Sequence, residues 1–180
     1  ALKQYQDFAE DTDILKYKNY TEAKEGLGLF SSAFEYVFNT IFSTTTSSTT
    51  DSYIFETNTY TGGAHGSVNV TAITLDKNGK EIPVTEIIKD SDLPKVAAES
   101  KRQINIEKKK RLSGAGISQA DLDSLLSYDD SVNEGTKPTR ENYSSVWIDG
   151  EDIVIHFGQY QVGAYAEGIY NVRIKRSFLR

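Results

Sequence analysis

The chain has 180 residues, 38% hydrophobic and 11% aromatic, which suits one folded domain with its own core, or two small ones at the limit. It has no Cys, which excludes disulfides, zinc-thiolate sites and a thiol nucleophile. Its net charge of −6 argues against a dedicated nucleic-acid binder and against adsorption to anionic lipid.

No apolar run approaches the ~20 residues of a membrane span. The sequence also contains no Met. Any signal peptide, lipid-bearing cysteine or membrane anchor is therefore expected upstream of residue 1, and membrane contact only through it.

The first 20 residues are polar, with Phe8, Ile14, Leu15, Tyr17 and Tyr20 scattered among charges, and read as a loop or short helix. From Glu22 to Phe42, the spacing of Leu27, Phe30, Phe34, Val37, Phe38 and Ile41 predicts a helix with a core-facing stripe. Residues 43–52, STTTSSTTDS, predict a mobile polar loop. Ser52 to Tyr60 alternates like a strand, Thr61 to Gly66 (TGGAHG) interrupts it, and Ser67 to Leu75 reads as a second strand. Asp76 to Lys80 is a turn centred on Asn78-Gly79. Glu81 to Ile88 predicts a short extended return with Pro83 near an edge.

Asp90, Ser91 and Asp92 are natural helix caps ahead of Pro94, and a helix is expected from Leu93 to Leu112. Its apolar stripe is thin (Leu93, Val96, Ala97, Ile104), and its end is basic from Lys108 to Arg111. Ser118 with Asp121 caps a short helix carrying Leu122, Leu125 and Leu126. Residues 129–142 read as a loop. The tail is β: Tyr143–Ile148, a hairpin turn at Asp149-Gly150, Asp152–Phe157, and Ile169–Lys175. These elements make the fold class α+β.

Several residues can carry chemistry. Gly62, Gly63 and Gly66 let the chain turn sharply beside Tyr60 and His65, but no Lys-Ser/Thr and no helix follow, as a phosphate loop requires. His65 and His156 are the only histidines, and they lack the helical spacing of a zinc pair; no metal or other cofactor is expected. The neighbouring carboxylates Asp129-Asp130 and Glu151-Asp152 sit beside turns and read as solvated, not as a pair facing across a cleft. The basic run at Lys108 to Arg111 complements a helix dipole, with an anionic glycan or headgroup as the sharper reading. Tyr160, Tyr165 and Tyr170, together with Trp147, form either an aromatic patch for sugar or protein, or filling between sheet and helix.

Three motifs in order carry a resemblance. They are Tyr60-Thr61-Gly62-Gly63-Ala64-His65-Gly66 followed by Gly79-Lys80-Glu81-Ile82; Pro138-Thr139-Arg140-Glu141-Asn142-Tyr143; and Phe157-Gly158-Gln159-Tyr160-Gln161-Val162-Gly163-Ala164-Tyr165-Ala166-Glu167-Gly168. From about Tyr53 to Arg180 the chain resembles the extracytoplasmic domain of unknown function in RsiV-type anti-sigma factors and PdaC-type peptidoglycan deacetylases. The family pattern places Pro before its Tyr-Ala-x-Gly step, where this chain has Gly163-Ala164.

The resemblance implies an antiparallel sheet packed against helices on one face, in an extracytoplasmic bacterial protein with an N-terminal helical region, 1–52, packed on an α+β domain, 53–180. It also implies a non-catalytic envelope binding or sensor domain, with a lysozyme-like protein or peptidoglycan as partner and no nucleic acid. Tyr60, Gly62, Gly63, His65, Trp147, Tyr160 and Tyr165 are the candidate binding residues. The alternative is a cell-wall hydrolase using a histidine with carboxylates. The glycine-rich turn and the closing strand are expected in one sheet.

Overall fold

The computed structural model describes residues 37–60, 64–113, 118, 120, 121, 124 and 130–179. Compact packing divides the chain into two units, residues 1–41 with 57–68 and residues 42–56 with 69–180. The strands are β1 (Val37–Thr46), β2 (Thr50–Tyr60), β3 (Ser67–Asp76), β4 (Val146–Asp149), β5 (Asp152–Phe157) and β6 (Tyr170–Lys175). Between β3 and β4 lie α1 (Val84–Ile87), α2 (Leu93–Ser113) and α3 (Ser131–Gly135). The strands form two three-stranded antiparallel sheets, β1-β2-β3 and β4-β5-β6. The α+β class holds.

Helix α2 runs as expected, one residue longer than its apolar pattern. Its buried residues are Leu93, Val96, Ala97, Ser100, Ile104 and Lys108. The stripe looked thin because two of its inward positions, Ser100 and Lys108, are polar. The apolar ones pack on Ile153, Ile155 and Phe157 of β5 and on Tyr170, Val172 and Ile174 of β6. Burying each such aliphatic chain contributes about 2 kcal/mol, which fixes α2 on this sheet face. The turn Gly150-Glu151 closes the β4–β5 hairpin, with Asp149 opposite Asp152.

Five expectations are corrected. Residues 37–42 are strand, not the end of a helix, and Val37, Phe38 and Ile41 are exposed. Leu27, Phe30 and Phe34 lie outside the described residues. β-Branched and aromatic side chains lose rotamer freedom in a helix but pack well across a pleated sheet. The Phe42 ring does so, with its centroid 5.3 Å from that of Phe55 and 6.1 Å from that of Tyr53.

The Ser/Thr run is a strand, a tight turn and a strand. The Ser47 hydroxyl accepts from the amides of Thr49 and Thr50 at 3.2 and 2.9 Å, closing the turn that a polar composition had suggested was loose. Glu81 forms only an isolated bridge with Leu75, after which α1 replaces the extended return. The 129–142 segment contains α3 and a helical turn at Glu141–Tyr143.

The glycine-rich turn joins β2 to β3, whereas the closing strand is β6, so they lie in two sheets and not one. Side-chain hydroxyls take the place of a main-chain ladder at the free edge of β4. The Ser52 Oγ donates to the Ile148 carbonyl at 2.8 Å and accepts from its amide at 3.3 Å, and Thr45 donates to the same carbonyl at 2.9 Å.

Candidate functional site

The loop between β5 and β6, residues 158–169, combines display with constraint. Tyr160 is 61% exposed and has φ of +65°, the one described residue other than glycine with positive φ. A residue with a Cβ pays about 1 kcal/mol for that conformation. Its ring lies against Tyr165, centroids 5.7 Å apart. The two tyrosines proposed from sequence thus form one aromatic pair.

The loop is held from below. Gln161 accepts from the Gly158 amide at 3.1 Å and donates to the Asn142 carbonyl at 3.1 Å. Val162 beside it is buried. A Cβ on Gly135 would stand 1.8 Å from the Gln161 carbonyl oxygen, so only glycine allows α3 to meet the loop here. Asn142 in turn donates to the carbonyls of Glu134 and Lys137 at 2.9 and 3.1 Å. Tyr143 is fully buried, donates to the Thr136 carbonyl at 2.9 Å, and meets Phe157 edge to face at 5.8 Å. Burial pushes its hydroxyl up to about 12. The second and third sequence motifs therefore meet, and most of their residues build a support.

The far side of the loop rests on Glu167. Its carboxylate accepts from the Ala164 amide at 2.9 Å and the Tyr170 hydroxyl at 2.8 Å, and it pairs with Lys108 at 3.0 Å. Burial opposes ionisation of Glu167, but these three donors outweigh it and hold its carboxyl below the usual range. Burial and the Glu167 carboxylate push the Tyr170 hydroxyl up. A Cβ on Gly163 would lie 2.5 Å from the carboxylate, so a side chain there would have to displace the folded-back Glu167. Arg111 donates to the carbonyls of Glu167 and Ile169 at 2.6 and 3.2 Å and covers the Tyr170 ring at 4.1 Å. Half of the basic run is thus internal structure. Spacing of one helical turn from Ile104 marks Lys108 as inward-facing, a signal that its charge concealed.

The other candidates are dispersed. Trp147 is 9% exposed, and it shares the sheet face opposite α2 with Val154 and His156. It is therefore not filling between the sheet and α2. His156 is 5% exposed, and its Nδ1 lies 2.9 Å from Asn171 Oδ1. Burial lowers its pKa, against the opposing effects of Asn171 and Glu56. Tyr60 and His65 belong to the first unit and Tyr160 and Tyr165 to the second. His65 is exposed, with Nδ1 3.3 Å from the Gly66 carbonyl. Gly62 and Gly63 lie outside the described residues. Asp152 is not simply solvated: it pairs with Lys175 at 2.8 Å and Arg173 at 3.3 Å. Among the described residues, no group of three or more His, Asp and Glu is placed to hold a metal.

A family model described as "Protein of unknown function (DUF3298)" matches residues 85–177, a little over half of the chain. The fold is similar to that of a DUF3298 family protein from Bacteroides fragilis, with a TM-score of 0.65 at 18% identity over 99% of this chain. It is also similar to one from Pseudomonas aeruginosa, with a TM-score of 0.58 at 13% identity over 90% of this chain. At these identities the likeness is one of fold. The chain spans 66% of the length of the first and 68% of the second. No curated protein matches it.

Proposed function

Because the chain belongs to the DUF3298 family of proteins of unknown function, we propose its function from its surface: a non-catalytic binding or sensor domain of the bacterial cell envelope. Its partner is a lysozyme-like protein or peptidoglycan, and Tyr160 with Tyr165 forms the contact. The observation that carries this reading is the backbone of Tyr160, held at positive φ with its ring exposed. Strain kept at an exposed aromatic residue on a braced loop is what a recognition surface requires. Tyrosine also supplies large contact area at low entropic cost.

The likeness to RsiV-type and PdaC-type extracytoplasmic domains, with the Tyr60–Gly66 signature, belongs to the same proposal. It rests on the order of the three motifs. Extracytoplasmic location follows from that likeness and is proposed with it. The hydrolase alternative gains little from the geometry, since His156 is buried with one nitrogen engaged by Asn171.

Calorimetric titration with lysozyme and, separately, with purified muropeptides tests the proposal. Saturable binding to one of them is expected, lost in the Tyr160→Ala, Tyr165→Ala double variant while circular dichroism is unchanged. Absence of heat with both ligands overturns the named partners; binding that survives the double variant overturns the site.

A further inference from the structure

The edge of β6 has a pattern that the tyrosine loop does not explain. In an antiparallel ladder, alternate residues turn their amide and carbonyl outward. Two observations fix the parity here. The His156 amide donates to Ser145 on the β4 side, so Ile153, Ile155 and Phe157 bond to β6. The Arg176 amide donates to Glu151, in the same parity. Tyr170, Val172 and Ile174 are therefore used up by β5, while the main chains of Asn171 and Arg173 face away from it.

Side chains of α2 occupy the flanking positions. Gln103 acts as a one-residue strand: its Nε2 donates to the Arg173 carbonyl at 2.8 Å and its Oε1 accepts from the Arg173 amide at 3.2 Å. Arg111 donates to the Ile169 carbonyl. Between them, the amide and carbonyl of Asn171 face a groove of about 590 Å³ between α2 and β6. Ile106, 54% exposed, and Glu107 form its helical wall, with Arg102 and Arg111 at its ends. Arg102 and Arg111 are nine residues apart, roughly 13 Å along the helix, the span of about four extended residues.

We propose that this groove binds an acidic peptide segment in extended conformation, which pairs by strand addition with the main chain of Asn171. The backbone rung supplies one donor and one acceptor in the geometry that strand addition uses. Ile106 gives an apolar surface for an alternate side chain. Charge selects acidic residues: Arg102 and Arg111 stand at the two ends of the groove, against the carboxylate of Glu107 on its wall. Arg102 gives Nε and one terminal nitrogen to Glu99 at 2.8 and 2.7 Å, which leaves its other terminal nitrogen for a ligand carboxylate. This site is separate from the tyrosine pair and does not depend on it.

The test is a titration of isotope-labelled protein with acetyl-Glu-Val-Glu-Val-Glu-amide, followed by amide resonances. Saturable shifts are expected at Ile169, Asn171 and Arg173, with slowed hydrogen exchange at the Asn171 amide. The same peptide N-methylated at every residue is expected not to bind the unaltered protein. Arg102→Glu, at an exposed side chain paired with Glu99, is expected to weaken binding about tenfold. Tyr160→Ala is expected to leave it unchanged. No shift at millimolar peptide overturns the proposal, as does equal binding of the N-methylated peptide or of acetyl-Lys-Val-Lys-Val-Lys-amide.

Discussion

The carbonyl oxygen of Gln161 fills the space where a side chain on residue 135 would begin, 1.8 Å from an ideal Cβ at Gly135. Helix α3 and the β5–β6 loop are fitted to each other at that point. Neither backbone can move without breaking the hydrogen bonds of Gln161 to Asn142 and of Asn142 to Glu134.

Gly135→Ala is therefore expected to destabilise the fold by about 3 kcal/mol, the upper range for a clash that a packed region cannot relax. The measurement is the urea midpoint of the variant. A second readout is the Tyr160 and Tyr165 ring resonances, which should shift as the loop is pushed out. A change within ~0.5 kcal/mol would mean the two elements yield freely.

Tyr160 gives the opposite sign. Tyr160→Gly removes the left-handed penalty and is expected to stabilise by about 1 kcal/mol, because glycine adopts positive φ without strain. Tyr160→Ala keeps the penalty and should change stability little. Both variants should bind lysozyme or muropeptide more weakly than the parent. Stability gained together with binding lost identifies a residue kept for contact.

The Lys108–Glu167 pair separates burial from exposure. Lys108 is 1% exposed and Glu167 about a third. Glu167→Gln takes the Glu167 charge away from the buried ammonium and should cost about 3 kcal/mol, as broken buried pairs do. Lys108→Met leaves the carboxylate with its Ala164 and Tyr170 donors and partial access to water, so its cost should be smaller. Thermal unfolding of the two single variants and the double variant measures the coupling.

His156 predicts a pH dependence near neutrality. Burial lowers its folded-state pKa below the ordinary 6.5. Above that value both folded and unfolded chains hold a neutral ring, and the group contributes nothing to the slope. Below it the unfolded chain takes up a proton that the fold resists, so stability falls as pH drops. The loss levels off once the folded-state pKa is passed. Urea midpoints from pH 7.5 to 5.5 should decline, and His156→Gln should flatten the decline. Glu167, with its depressed carboxyl, acts lower, losing its contribution below the usual carboxylate range.

Much of the scaffold was legible in the sequence where periodicity and local chemistry agreed. Helix α2 from Leu93 to its end, the Asp149-Gly150 hairpin and strands β2, β3, β5 and β6 were set by spacing and turn residues, as was the α+β class; the Asp90–Asp92 segment expected to cap α2 is instead a 3-10 turn without a side-chain cap. The tyrosines of the third motif could be named as candidates, but not shown to touch.

Tertiary structure decided what depended on partners distant in sequence. Val37–Phe42 suits either a helix stripe or a strand, and pairing with β2 settled it. The Ser/Thr run looked like solvated loop because composition does not reveal that Ser52 meets Ile148, 96 positions further along the chain. The charge on Lys108 hid an inward-facing position until Glu167 was brought to it by the loop. Side-chain hydrogen bonds and ion pairs of this kind compensate buried polarity only in three dimensions, so no local pattern records them.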